Sequence, residues 1–155
     1  MAKTIETLKS IQGALFGLDI GEKTIGLAVS DPQQSLATPL QTIKRTKFMA
    51  DAKDILQQAA DRNVTGFVLG LPRNMDGSLG PKAQSVKGFA SHFGKQTDLP
   101  IVLWDERLST AAAERELIGL DVSRAKRAAV IDSHAANFIL QGALDRLKRL
   151  RAEEQ

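Results

Sequence analysis

The sequence predicts an α/β fold: a mixed five-stranded sheet, three antiparallel strands and then two parallel ones, flanked by helices. Three observations predict it. Two almost continuously apolar runs within residues 14–31 flank a short Gly21-Glu22-Lys23 connection, the pattern of a β-hairpin whose strands are covered on both faces. A third short run, 36–43, follows after a brief polar break. From there helical and strand periodicities alternate, as crossover connections between parallel strands require.

Taken in order, residues 1–12 read as a loosely held lead-in to a single domain spanning 1–155. Pro32 and Gln33-Gln34-Ser35 break the chain after the hairpin. Pro39 lies inside the third run and favours an edge position, because it cannot donate to a neighbour. Residues 44–47 form a basic loop. Phe48, Ala52, Ile55, Leu56 and Ala59 recur at helical spacing and predict a helix over 48–62. The run 65–71 is a buried strand stopped by Pro72, and 72–78 is rich in turn formers. A second helix is expected over 81–95, a fifth strand over 100–104, and a third helix capped by Ser109 or Thr110. The last helical region runs from about Ser123 to about Arg151. No internal repeat, low-complexity stretch or interdomain linker interrupts this order.

Composition narrows the chemistry. With 43% apolar and 25% charged residues the chain fits a soluble globular protein. It has no cysteine, which excludes disulfides, thiolate metal sites and a cysteine nucleophile. Two histidines, His92 and His134, cannot build a His-rich zinc site. Glu6 interrupts the first twelve residues, so no signal peptide is expected, and no run approaches membrane-spanning length. The cytoplasm is the expected location. Net charge is +3, which permits an anionic partner. Arg124, Lys126, Arg127, Arg146, Lys148, Arg149 and Arg151 face only Asp132 and Asp145 in the same segment. Such a segment suits phosphates, although a solvated helix face explains any one of these cations as well.

Three carboxylates stand in awkward places. Asp19 breaks an apolar strand and has no Lys or Arg within three residues. A lone ionised carboxylate there must be paired, neutralised or bound to a cation. Asp105 and Glu106 leave the fifth strand at its carboxyl end, where ligands of open α/β sheets bind. Alternation lets only one of the two face the site, and spacing does not choose between them. Asp132 shares a helix face with Ala135, Ala136, Ile139 and Ala143, a face that packs on the sheet. Clustered, three carboxylates repel unless a cation sits among them. Hard oxygen donors without Cys or His suit Mg²⁺ or Mn²⁺. Two such ions roughly 3.5–4 Å apart can activate water and stabilise the leaving oxygen of a phosphodiester.

Gly17-Leu18-Asp19-Ile20-Gly21, Leu69-Gly70-Leu71-Pro72 with Asn74-Met75-Asp76-Gly77, Asp105-Glu106-Arg107-Leu108-Ser109-Thr110, and Asp132 with Ala135-Ala136 and Ile139-Leu140-Gln141 resemble the four motifs of the YqgF/RuvX family. The likeness runs from about Ala14 to Arg146. It implies a ribonuclease H-like fold and a metal-dependent nuclease, maturing the 5′ end of pre-16S rRNA or resolving Holliday junctions. It also implies catalytic, metal-holding acids at Asp19, Glu106 and Asp132, and so favours Glu106 over Asp105. The substrate-binding candidates are Lys23, Arg73, Asn74, Arg107, Arg124, Lys126 and Arg127. Five residues along a helix turn the chain by about 140° net, so Arg127 is placed to hold phosphate rather than to neutralise Asp132. Two residues depart from the family pattern. Thr24 stands where a basic residue is common, which takes a cation out of a phosphate contact, and Ser133-His134 follow Asp132 where Lys and an apolar residue are frequent. His134 points off the Asp132 face and reads as surface or packing.

Two other classes compete. An actin- or sugar-kinase-type ATPase also uses an Asp-x-Gly hairpin, but it needs two lobes to enclose ATP, and 155 residues supply one. A catalytically idle nucleic-acid-binding module on the same fold is separated from a nuclease by metal titration with a cleavage assay. Expected partners are precursor rRNA first and branched DNA second, with ribosomal precursor particles as a further possibility, for a monomer or a homodimer. No membrane contact is expected.

Overall fold

The computed structural model describes residues 4–74, 76–106 and 124–154, with the side chains of 124–133 excepted. Strands β1 (Ala14–Ile20), β2 (Thr24–Ser30), β3 (Ala37–Lys44), β4 (Val64–Leu71) and β5 (Ile101–Asp105) form one sheet in the order β3-β2-β1-β4-β5. β1, β2 and β3 pair antiparallel, and β1, β4 and β5 pair parallel, as the sequence predicts. β3 is an edge strand. Its register shifts between Gly26 and Ala28, and Pro39 sits opposite Ala28 beside that irregularity, where a missing donor costs little.

Alternation along the strands separates two cores. Helices α1 (Phe48–Asp61) and α2 (Pro81–Gly94) cover one face, burying Phe16, Leu18, Ile25, Leu27, Phe67 and Leu69 with Ile55, Val86 and Phe93. Phe67 meets Phe16 and Phe93 edge-on, at ring distances of 6.1 and 5.0 Å. Helix α3 (Arg124–Glu153) covers the other face, where Leu15, Ala28, Val68, Val102 and Trp104 pack against Ala136, Ile139, Leu140, Ala143 and Leu147. Two covered faces account for the unbroken apolar runs of the hairpin and of β4.

Two expectations meet different outcomes. The lead-in is not loosely held over the residues described: Ile5–Ser10 form a 3-10 helix whose Ile5 and Leu8 are buried under α3. The Arg151 guanidinium donates to the carbonyls of Leu8, Lys9 and Ile11 and to Gln34 Oε1, at 2.8–3.3 Å. Gln34 Nε2 in turn donates to the carbonyls of Ile11 and Gly13. The helix expected after Ser109 or Thr110 lies outside the described residues. Among the described helices none is long and apolar enough to cross a membrane.

Candidate active site at the carboxyl end of the sheet

Asp19 lies two residues before the β1–β2 turn, half-buried, at the end where β4 and β5 also finish. Its partner in β2 is Gly26, and Gly26 pairs with Thr42 of β3. On the other side, the pairing of Leu18 with Leu69 continues by one step to bring Gly70 alongside Asp19. The row Thr42, Gly26, Asp19, Gly70 therefore crosses four strands with a carboxylate between two residues that have no side chain. Alternation sets this row on the α3 face, with Leu15 and Gly17.

Glu106 follows β5 directly and is buried, at 8% exposure. Its Oε1 lies 3.1 Å from where a Cβ on Gly70 would stand, and that Cβ would clash with Ile139 Cδ1. Gly70 thus leaves the space into which the Glu106 carboxylate and Ile139 both reach. Neighbouring strands lie about 4.8 Å apart, so the carboxylate over Gly70 is about one strand spacing from the strand of Asp19. Asp105 goes the other way: its Oδ2 is 3.5 Å from Arg73 Nε. Of the two strand-end acids, geometry turns Glu106 toward Asp19.

Helix α3 closes over this row because Gly17 lets it. A Cβ there would fall 2.7 Å from Leu140 Cβ and 3.0 Å from the Ala136 carbonyl oxygen. The helix runs antiparallel to β1, since Ala136 and Leu140 lie over Gly17 while Arg151 reaches Leu8. Four residues before Ala136 is about 6 Å of helix, and two residues past Gly17 is about 6.6 Å of strand, so the backbone of position 132 draws level with Asp19. The side chains of Asp132, Arg124, Lys126 and Arg127 lie outside the described set, as does Arg107 altogether. Among the described residues no three His, Asp or Glu side chains gather closely enough to hold an ion. Asp19 and Glu106, at the same end of the sheet, are hard oxygen donors, a donor set that fits Mg²⁺ or Mn²⁺.

The remaining candidates divide. Lys23 is exposed on the hairpin turn. Arg73 is one-third exposed and held by Asp105 and by the Gly77 carbonyl, to which Nη1 donates at 3.2 Å. The Asn74 side-chain amide donates to Ser78 Oγ at 3.0 Å, and its N–H donates to the Ser78 carbonyl. Asn74 therefore shapes its loop. His134 packs its ring 6.0 Å from Phe138, in keeping with a packing role. Arg146, Lys148, Arg149 and Arg151 lie toward the amino end of the sheet, away from the acids. Residue-by-residue reading missed the glycines: Gly17, Gly26 and Gly70 interrupt apolar strands, and a glycine inside a strand signals close approach by another group.

A sheet of this order and strand direction, covered by helices on both faces, defines the ribonuclease H-like class. The RuvC structure from T. thermophilus, solved in complex with a Holliday junction substrate, shares the fold at a TM-score of 0.55 over 88% of this chain and 96% of that one, at 12% identity. The family model described as "RuvX: Holliday junction resolvase" matches residues 13–146, and the chain belongs to that family. A relative from Bradyrhizobium sp. (strain ORS 278) is 67% identical over 144 residues, covering 93% of this chain and 89% of that protein. One from Rhodopseudomonas palustris (strain BisB5) is 66% identical over 139 residues, covering 90% and 87%. Both carry the name "Putative pre-16S rRNA nuclease".

Proposed function

We propose that this protein is a divalent-metal-dependent nuclease that hydrolyses phosphodiester bonds in precursor 16S rRNA. The observation that carries the proposal is the convergence of Glu106, across the bare Gly70, on the strand that holds Asp19. Two carboxylates brought this close repel each other, and a cation between them removes the repulsion. Asp19, Glu106 and Asp132 would hold the metal. When bound, Mg²⁺ or Mn²⁺ supplies a nucleophilic water and charge stabilisation at the scissile phosphate. The chain's own part is positional. Asp19 is fixed by a central strand, Glu106 by burial between Gly70 and Ile139, and α3 excludes bulk water from one side. Arg73 and Lys23 stand at the same end with cationic groups for phosphates. The substrate follows from the shared name of relatives at about two-thirds identity over nine-tenths of the chain.

The test is cleavage of a precursor rRNA fragment with Mg²⁺ or Mn²⁺. Asp19→Asn and Glu106→Gln should each abolish turnover with an unchanged melting curve, and Asp105→Asn should retain far more activity. Full activity in Asp19→Asn would overturn the assignment. The family description favours a second substrate, the four-way DNA junction. A resolvase acting on two strands needs a symmetric dimer, so junction cleavage should be tested together with mass in solution.

A further inference from the structure

The hairpin turn that follows Asp19 leans on a second basic segment. The Arg45 N–H donates to the Lys23 carbonyl at 2.8 Å, and Arg45 Nη1 donates to the Gly21 carbonyl at 2.6 Å. The same guanidinium lies 5.7 Å from the centre of the Phe89 ring of α2. Next to it, the buried Asp51 carboxylate accepts the N–H and the hydroxyl of Thr46 at 2.9–3.2 Å. The loop between β3 and α1 is thus pinned at both sides. Arg45 is used up as the pin, while Lys23, Lys44 and Lys47 remain exposed. Between turn and loop lies a hollow of about 490 Å³ lined by Glu22, Lys23, Lys44, Arg45, Thr46 and Ser85.

The hollow draws Ser85 and Arg45 from the α2 side, and the sheet register places Lys44, at its rim, relative to the acids. Lys44 pairs with Thr24, and alternation sets that pair on the same face as Gly26 and Asp19, one pleat nearer the tip. Two strand spacings sideways and two residues along make about 12 Å from Asp19 to Lys44. At about 3.4 Å of rise per nucleotide, a stacked strand covers that in three to four nucleotides.

We propose that Lys23 and Lys44, held in place by the Arg45 pin, form an anchor for the phosphate backbone of the substrate strand, three to four nucleotides from the bond that is cut. The strand's identity rests on the nuclease reading above; the binding itself does not. Lys47 extends the same positive edge. Glu22 opposes it with one charge, leaving the hollow net cationic. Arg45 acts here as a positioning residue.

The experiment measures metal-free binding of a fluorescent 20-nucleotide single-stranded RNA across a salt series. Lys23→Gln/Lys44→Gln should weaken binding five- to tenfold at low salt. It should also lower the salt slope by about 1.4, since each single-strand phosphate neutralised contributes about 0.7. Lys23→Arg/Lys44→Arg should restore the slope. Lys95→Gln/Lys148→Gln, the same charge loss at the amino end of the sheet, should leave it near the parent value. Arg45→Ala should reduce affinity by more than one charge's share, because Lys23 and Lys44 then lose their fixed spacing. An unchanged slope in the Lys23/Lys44 variant, or an equal loss in the Lys95/Lys148 control, overturns the anchor even where the parent protein cleaves RNA. A parent protein that never cleaves, with the slope change still present, keeps the anchor and removes the nuclease reading.

Discussion

Gly17 and Gly70 lie on one sheet face, yet replacing them should have separable effects. An alanine Cβ at Gly17 meets a carbonyl oxygen and a Cβ, atoms fixed to the backbone of α3. The helix must move as a body, and overpacking of this kind costs about 1–3 kcal/mol. Gly17→Ala should therefore lower the denaturant midpoint clearly. At Gly70 the obstructing atoms are the tip of Ile139, which can rotate, and Glu106 Oε1, which lies in the proposed metal site. Gly70→Ala should lose less stability than Gly17→Ala but more catalytic rate, read as the ratio of turnover to melting shift. Asp19 stands out in the sequence because a charged residue interrupts an apolar run there. The glycines that flank it do not, since the absence of a side chain gains meaning only when the neighbouring strand and helix are known. Choosing between Asp105 and Glu106 was equally out of reach of spacing, because both sit where the strand ends.

Single elements show the same division between local and distant causes. Five strands, α1 and α2 fall within a residue or two of their sequence-based bounds, because apolar periodicity and punctuation by Pro72 and Pro81 are local signals. The docking of the lead-in was not legible, because its partner, Arg151, lies about 140 positions away and reads as one more cation in a basic segment. Arg151→Ala should free the 3-10 helix. Hydrogen exchange at residues 5–11 should rise, and stability should fall by about 1–3 kcal/mol, the range for a charged donor leaving buried acceptors unmet. Arg151→Lys should not restore it, since one ammonium cannot reproduce a planar fork that serves four acceptors. The β2–β3 loop offers a pH test. The Asp31 carboxylate accepts the N–H groups of Leu36 and Ser35 and the Ser35 hydroxyl, each at 2.8 Å. The Leu36 bond above all holds its pKa below the ordinary 3.8, with the Ser35 bonds adding to it. A depressed folded pKa means that the carboxylate stabilises fully above 3.8 and loses its effect as pH falls through the folded value. The stability gap between the parent and Asp31→Ala should stay constant near neutrality and close below pH 3.8.

Across the whole molecule, charge and topology point to one end. The hairpin turn, the β3–α1 loop, the loop after β4 and the start of α2 all meet where the parallel strands finish, because antiparallel and parallel strands share that edge through β1. The net charge of +3 is modest, yet Lys23, Lys44, Lys47 and Arg73 stand at the carboxyl end of the sheet, while Arg151 is spent on the opposite end. Binding should accordingly depend on salt more steeply than the net charge alone suggests.

The position of α3 also makes half of the core depend on one element. Leu15, Ala28, Val68, Val102 and Trp104 come from four strands spread along the chain, and all of them are roofed by a single helix. Until that helix docks, one side of the sheet is bare and oily, and position 132 has no fixed relation to Asp19. A chain with this helix undocked is therefore adhesive, and it lacks the arrangement around Asp19 at the same time. Docking of the helix is a single closing event, after which the acid-bearing end of the sheet and the anchored lead-in are held by opposite ends of the same rod.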